Sequence, residues 1–140
     1  MGETLKKITA TFISAVIAIS FSGCATGPNQ NDIYACDDWA SAYSTMANMN
    51  TQDNAQLSAM LKVTADSYDS ASSEASNPEL SNLISQLSSF YASAARMVDQ
   101  DNPDLLNEID VDDRDIYRKC VELNISPELT ADNLPDWYKG

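Results

Sequence analysis

An all-α fold is what this 140-residue chain predicts: a small up-and-down bundle of three to four helices, closed by one disulfide, following an N-terminal leader. Three observations point there. Apolar residues past position 31 recur at steps of three and four, and no stretch alternates apolar with polar as a half-buried strand would. Asn77-Pro78-Glu79-Leu80, Asn102-Pro103-Asp104-Leu105 and Ser126-Pro127-Glu128-Leu129 each combine a capping side chain, a proline and a carboxylate, the chemistry of a helix start. Past Cys24 the only cysteines are Cys36 and Cys120, at opposite ends of the domain.

The elements follow in order. Cys36, Trp39, Ala40, Tyr43, Met46 and Ala47 make one apolar face of a first helix over about 32–48, and Asn50 and Thr51 interrupt it and can cap the next. Leu57, Met60, Leu61, Thr64, Tyr68 and Ala71 form the stripe of a second helix over about 52–75. Leu80, Leu83, Ile84, Leu87, Phe90, Tyr91, Ala94 and Val98 mark a long third helix over about 78–99. A short segment over about 103–109 carries Leu105, Leu106 and Ile109, and Asp112 or Asp113 opens a fourth helix over about 113–123. In that helix Ile116, Tyr117, Cys120 and Val121 are expected to face inward. The irregular tail should dock through Leu134, Trp137 and Tyr138. The three proline-containing starts lie near 25 residues apart, but the residues between them do not match, so shared capping chemistry explains them better than a repeat.

The leader has its own pattern. Lys6 and Lys7 precede fourteen mostly apolar residues, Ile8 to Phe21, and then Ser22, Gly23 and Cys24. Fourteen residues fall short of the roughly twenty that a membrane-spanning helix needs, and two cations before a short apolar run describe an export signal. Phe21-Ser22-Gly23-Cys24 resembles the bacterial lipobox, with Phe21 standing where Leu, Val or Ile is usual. The resemblance covers residues 1–24 and implies a diacylglyceryl thioether on the Cys24 sulfur, cleavage before Cys24 and acylation of the new N-terminus. The membrane then becomes a partner through lipid. One acyl chain holds a protein only marginally, each buried CH₂ adding about 0.8 kcal/mol, so two or three chains matter. Residues 1–23 read as signal peptide, 24–31 as lipidated N-terminus and flexible tether, and 32–140 as one helical-bundle domain.

In an exported chain, Cys36 and Cys120 read as a disulfide. The alternatives are two free thiols or half of a metal site, for which the chain has no histidine to complete the ligand set. Removing Glu3, Lys6 and Lys7 with the leader leaves 20 acidic and 6 basic side chains over 117 residues, a formal charge of −14. Such a surface repels nucleic acid and anionic lipid headgroups and attracts cationic peptides, metal ions or basic protein surfaces.

Candidate chemistry is thin, and no catalytic residue, metal site or cofactor is assigned. The acidic run Asp99, Asp101, Asp104, Glu108, Asp110, Asp112, Asp113 and Asp115, aligned as a calcium loop from Asp99, puts Pro103 at its fifth position and Asp104 at the sixth, where glycine makes the turn. Helix caps and a solvated connector account for the same residues. Ser58 and Lys62 lie four apart, one residue longer than the spacing of serine–lysine acyl enzymes. Trp39, Tyr43, Met46, Met49 and Met60 suit a bundle core, or alternatively a groove for a peptide or apolar ligand. Lys62 and Arg96 are expected to pair with nearby carboxylates.

In layout the chain resembles the small lipoproteins of bacterial envelopes, particularly those of actinobacteria: lipobox, polar tether, and an Ala/Ser-rich helical domain with a cysteine near each end. The resemblance implies a location on the extracytoplasmic face of a cell membrane. The expected function is a binding or interaction module with an envelope or phage protein as partner. The alternatives are a prophage-type superinfection-exclusion lipoprotein, a structural envelope spacer and, last, an envelope hydrolase.

Overall fold

Each helix opens on a side chain that satisfies its first free N–H groups. The computed structural model describes residues 27–138; Cys24 and the leader lie outside them. Helix α1, Gln30–Ala47, starts after Asn29, whose side chain accepts from the Asn31 N–H. Helix α2, Asn54–Glu74, is capped by Asp53 rather than by Asn50 or Thr51. Helix α3, Pro78–Gln100, begins at its proline, with Asn77 accepting from the N–H groups of Glu79 and Leu80. Helix α4, Asp113–Glu122, opens in a capping box in which Asp112 and Asp115 bind each other's backbone.

Helix α1 therefore starts two residues earlier than the expected 32: Gln30 and Asn31, expected in the tether, are already helical. The expected segment 103–109 is only a 3₁₀ turn, Pro103–Leu105, followed by extended chain. The third proline-containing start, at Ser126, launches no helix, because its backbone is claimed elsewhere. Thr130 N–H donates to the Ser44 hydroxyl, Asp132 N–H to the Asn48 side chain and Leu129 N–H to Tyr138 Oη.

The four helices form a closed ring: α1 lies along α2, α2 along α3 over the longest contact, α3 meets α4, and α4 returns to α1. The Cys36–Cys120 disulfide fastens that last contact, with Cα atoms 6.1 Å apart. Inside the ring Ala35, Trp39, Tyr68, Leu80, Ile84 and Ile116 are fully buried. Each such large apolar side chain contributes about 1.5–3 kcal/mol relative to exposure.

Serine makes the α2–α3 contact close despite few large side chains. Ser72 and Ser81 exchange hydroxyl-to-carbonyl bonds across the two helices, both at 2.9 Å, and Ser88 Oγ donates to Ala65 O at 2.8 Å. A hydroxyl that finds a carbonyl on the neighbouring helix can be buried without an unpaired polar atom.

The tail docks as expected. Trp137, in a 3₁₀ turn over Asp136–Tyr138, sits between Tyr43 of α1 and Tyr117 of α4, with ring centroids 6.0 and 5.6 Å away. Val121 departs from expectation and is exposed, because α4 turns Ile116 and Cys120 to the core and the next position rotates out about 100°. Among the described residues no helix is long and apolar enough to cross a membrane.

Candidate functional site

Two places in the bundle hold groups whose chemistry is not ordinary packing. At the first, Asp113, the opening residue of α4, turns inward and meets one aromatic donor from each of the other three helices. Trp39 Nε1–H from α1 donates to its Oδ1 at 2.9 Å, Tyr68 Oη–H from α2 donates to the same oxygen at 2.5 Å, and Tyr91 Oη–H from α3 donates to Oδ2 at 2.8 Å. Tyr68 and Tyr91 also meet edge to face, their centroids 5.2 Å apart.

Burial raises the Asp113 pKa above the ordinary carboxylate value, against the lowering effect of hydrogen bonds from Tyr68, Trp39 and Tyr91. Burial, and then the Asp113 charge, raise both tyrosines, so they stay protonated and donating. With three donors engaged, this carboxylate is a tie among four helices and not a free acid. The sequence offered Asp113 as a helix opener and as one member of the acidic run from Asp99 to Asp115. The signal available was three inward aromatics, each with a polar tip that needs a partner in a dry core, beside a doublet, Asp112-Asp113, that can both cap and turn in.

The second place is a groove of about 450 Å³ between α1 and α2, lined from α1 by Asp38, Ser41, Ala42 and Thr45, from α2 by Met60, Val63, Thr64, Ser67 and Ser70, and by Met49 just past the end of α1. The α2 positions, Met60 to Ser70, span eleven residues, about 15 Å at a rise of 1.5 Å each. Met49 is 44% exposed and Val63 63%, and Tyr34, 53% exposed, lies one turn before Asp38 on the same face. Three of the four exposed large apolar residues of the described chain thus follow one helix pair.

Chemistry is unequal along the groove. Met49, Met60 and Val63 make one end apolar. Toward the other, Asp38 of α1 faces Glu74, which continues the α2 face one turn beyond Ser70. Desolvation first, then the hydrogen bond and charge of Asp38, raise the Glu74 pKa. Among the described residues no lysine or arginine lies within 4.0 Å of either carboxylate.

Of the groove candidates read from the sequence, the structure divides the set. Trp39 is fully buried, and Tyr43 and Met46 pack against the core, whereas Met49 and Met60 line the groove. Ser58 is buried and donates to Ala95 O, while the Lys62 ammonium pairs with Asp99 at 2.7 Å, so the two are committed to separate partners. Arg96 is exposed, with no carboxylate within 4.0 Å among the described residues. Within the acidic run, Asp112 and Asp115 cap α4, Asp113 ties the core and Asp99 holds Lys62. Among the described residues no group of three or more Cys, Asp or Glu side chains converges as a metal site. Comparison with protein-family models, with curated proteins and with solved structures finds no match for this chain.

Proposed function

We propose that this chain is a lipid-anchored binding module on the extracytoplasmic face of a bacterial cell envelope. The observation that carries the binding half is the α1–α2 groove, where Met49 and Val63 stay exposed at one end of an otherwise polar cleft. Apolar patches rimmed by polar residues mark interaction sites, since leaving them open costs solubility without helping the fold. A spacer needs no such feature, and a hydrolase needs a free acid and base, which the three-donor tie at Asp113 does not offer. Location rests on the setting of Cys24: two lysines, a short apolar run and small residues before the cysteine. The pairing of Cys36 with Cys120 agrees with an oxidising compartment.

The test uses living cells with a photo-crosslinking side chain in place of Val63 or, as a control on α4, in place of Val121. The expected result is an adduct with an envelope protein from position 63 and none from 121. Cys24→Ala should appear in the soluble fraction or as unprocessed precursor, without that adduct. Equal adducts from both positions, or normal membrane retention and processing of Cys24→Ala, would overturn the reading.

A further inference from the structure

Resting on the reading of this chain as a binding module, we propose that the α1–α2 groove receives a short basic amphipathic helix of a protein partner. Its apolar side chains would seat against Met49, Met60 and Val63, and a lysine or arginine would reach between Asp38 and Glu74. The match is one of charge and of length. Two carboxylates facing each other, with no cation among the described residues within 4.0 Å, repel, and an incoming cation relieves that repulsion. The groove spans about 15 Å along α2, which a helix of roughly eleven residues covers with anchors at three- and four-residue steps.

Tyr34 adds an exposed ring beside the acidic end, placed to lie against a guanidinium or ammonium. The formal charge of −13 for the whole chain steers a basic partner to the surface before contact. An acidic or neutral helix would leave the Asp38–Glu74 pair as it stands. A second copy of this chain is a poor occupant for the same reason, since it would bring another strongly acidic surface to the groove.

The experiment titrates the full chain, held in phosphatidylcholine nanodiscs, with three synthetic 14-residue helices that share one leucine stripe. Their remaining positions carry lysine, glutamine or glutamate, and empty nanodiscs correct for peptide taken up by lipid. The lysine peptide should bind, and more weakly as NaCl rises from 50 to 500 mM. Asp38→Asn with Glu74→Gln should weaken it about tenfold, a loss of ~1.4 kcal/mol. Val63→Ser should weaken it about threefold, while Val121→Ser should leave it unchanged.

Glutamine or glutamate peptides that bind as tightly, with the same dependence on Val63, would overturn the basic partner and leave the binding module standing. Lysine-peptide binding indifferent to Val63 and to the carboxylate pair, or no binding by any peptide, overturns the proposal. So does self-association of the chain that Val63→Ser abolishes, because the occupant is then a second copy. The crosslinks from position 63 in cells test the module independently of all these outcomes.

Discussion

The interior tie at Asp113 and the groove between α1 and α2 both place carboxylates among apolar side chains, yet they are finished to different degrees. At the tie, donors from three helices all find their acceptor in Asp113 of the fourth. Among the described residues no buried side-chain nitrogen or oxygen lacks a partner. At the groove, Met49 and Val63 keep much of their surface in water and Asp38 faces Glu74 with no cation among the described residues within 4.0 Å. Completed polar chemistry specifies the fold. Incomplete apolar and charged chemistry on the same small domain is what a partner can complete.

The largest effect that bears on this contrast belongs to the frame holding both regions. Cys36→Ala and Cys120→Ala each open a crosslink spanning a sequence separation of 84, and each should lower unfolding free energy in denaturant titration by about 4–5 kcal/mol, similarly for the two. Two native thiols that label freely would contradict it. Next comes the tie itself. Asp113→Ala strands three aromatic donors and should cost about 3 kcal/mol, whereas Asp113→Asn, whose amide keeps an oxygen for two of them and an N–H for Tyr91, should cost less than about 1 kcal/mol. Equal losses for the two variants would mean that side-chain volume, not hydrogen bonding, matters there.

A smaller tie lies at the other end of α1. Asp32 is buried and its Oδ1 accepts from the N–H groups of Ser76 and Asn77, both at 2.8 Å, pinning the α2–α3 turn to α1. Asp32→Ala should lose about 2 kcal/mol in the same titration.

A pH series separates the Asp113 charge from its shape. Folding raises the Asp113 pKa, so the folded state holds that proton more tightly than the unfolded chain does. The stability this contributes is fully present below the unfolded value, about 3.9, and is lost as pH rises through the raised folded value. Relative to Asp113→Asn, wild type should therefore gain stability as the solution is acidified and lose that advantage by neutral pH. A difference between the two that ignores pH would contradict a desolvated carboxylate. The smallest effect is expected at the groove, where Val63→Ser should change stability by no more than about 0.5 kcal/mol. A large loss there would make Val63 part of the fold and not of a binding face.

Much of the fold could be read before any coordinates, and the reasons are local. Asn77-Pro78-Glu79 announces α3 because cap, proline and dipole all act within one turn. Ser126-Pro127-Glu128 has the same local chemistry but fails as a helix, since Ser44 and Asn48, more than 80 residues away in sequence, claim the following backbone. The disulfide was legible from just two cysteines past Cys24, at opposite ends of the domain, and it forms. The candidate sites were legible only in part. Methionines at helical spacing look alike whether they fill a core or line a groove, and it is the end of α1 at Ala47 that separates core-packed Met46 from exposed Met49. The inward turn of Asp113 was hidden because its partners come from three distant helices.

The four methionines past the leader, Met46, Met49, Met60 and Met97, allow one measurement to test the groove most directly. Methyl NMR of methionine-labelled full chain in nanodiscs, titrated with the lysine-bearing helix, reads groove and core in a single spectrum. The Met49 and Met60 methyl signals should move together and saturably, while those of Met46 and Met97 and the Trp39 indole N–H hold still. Uniform movement of all the methionine methyls, or movement of the Trp39 signal with Met49 and Met60 unmoved, would contradict a preformed binding face on α1 and α2.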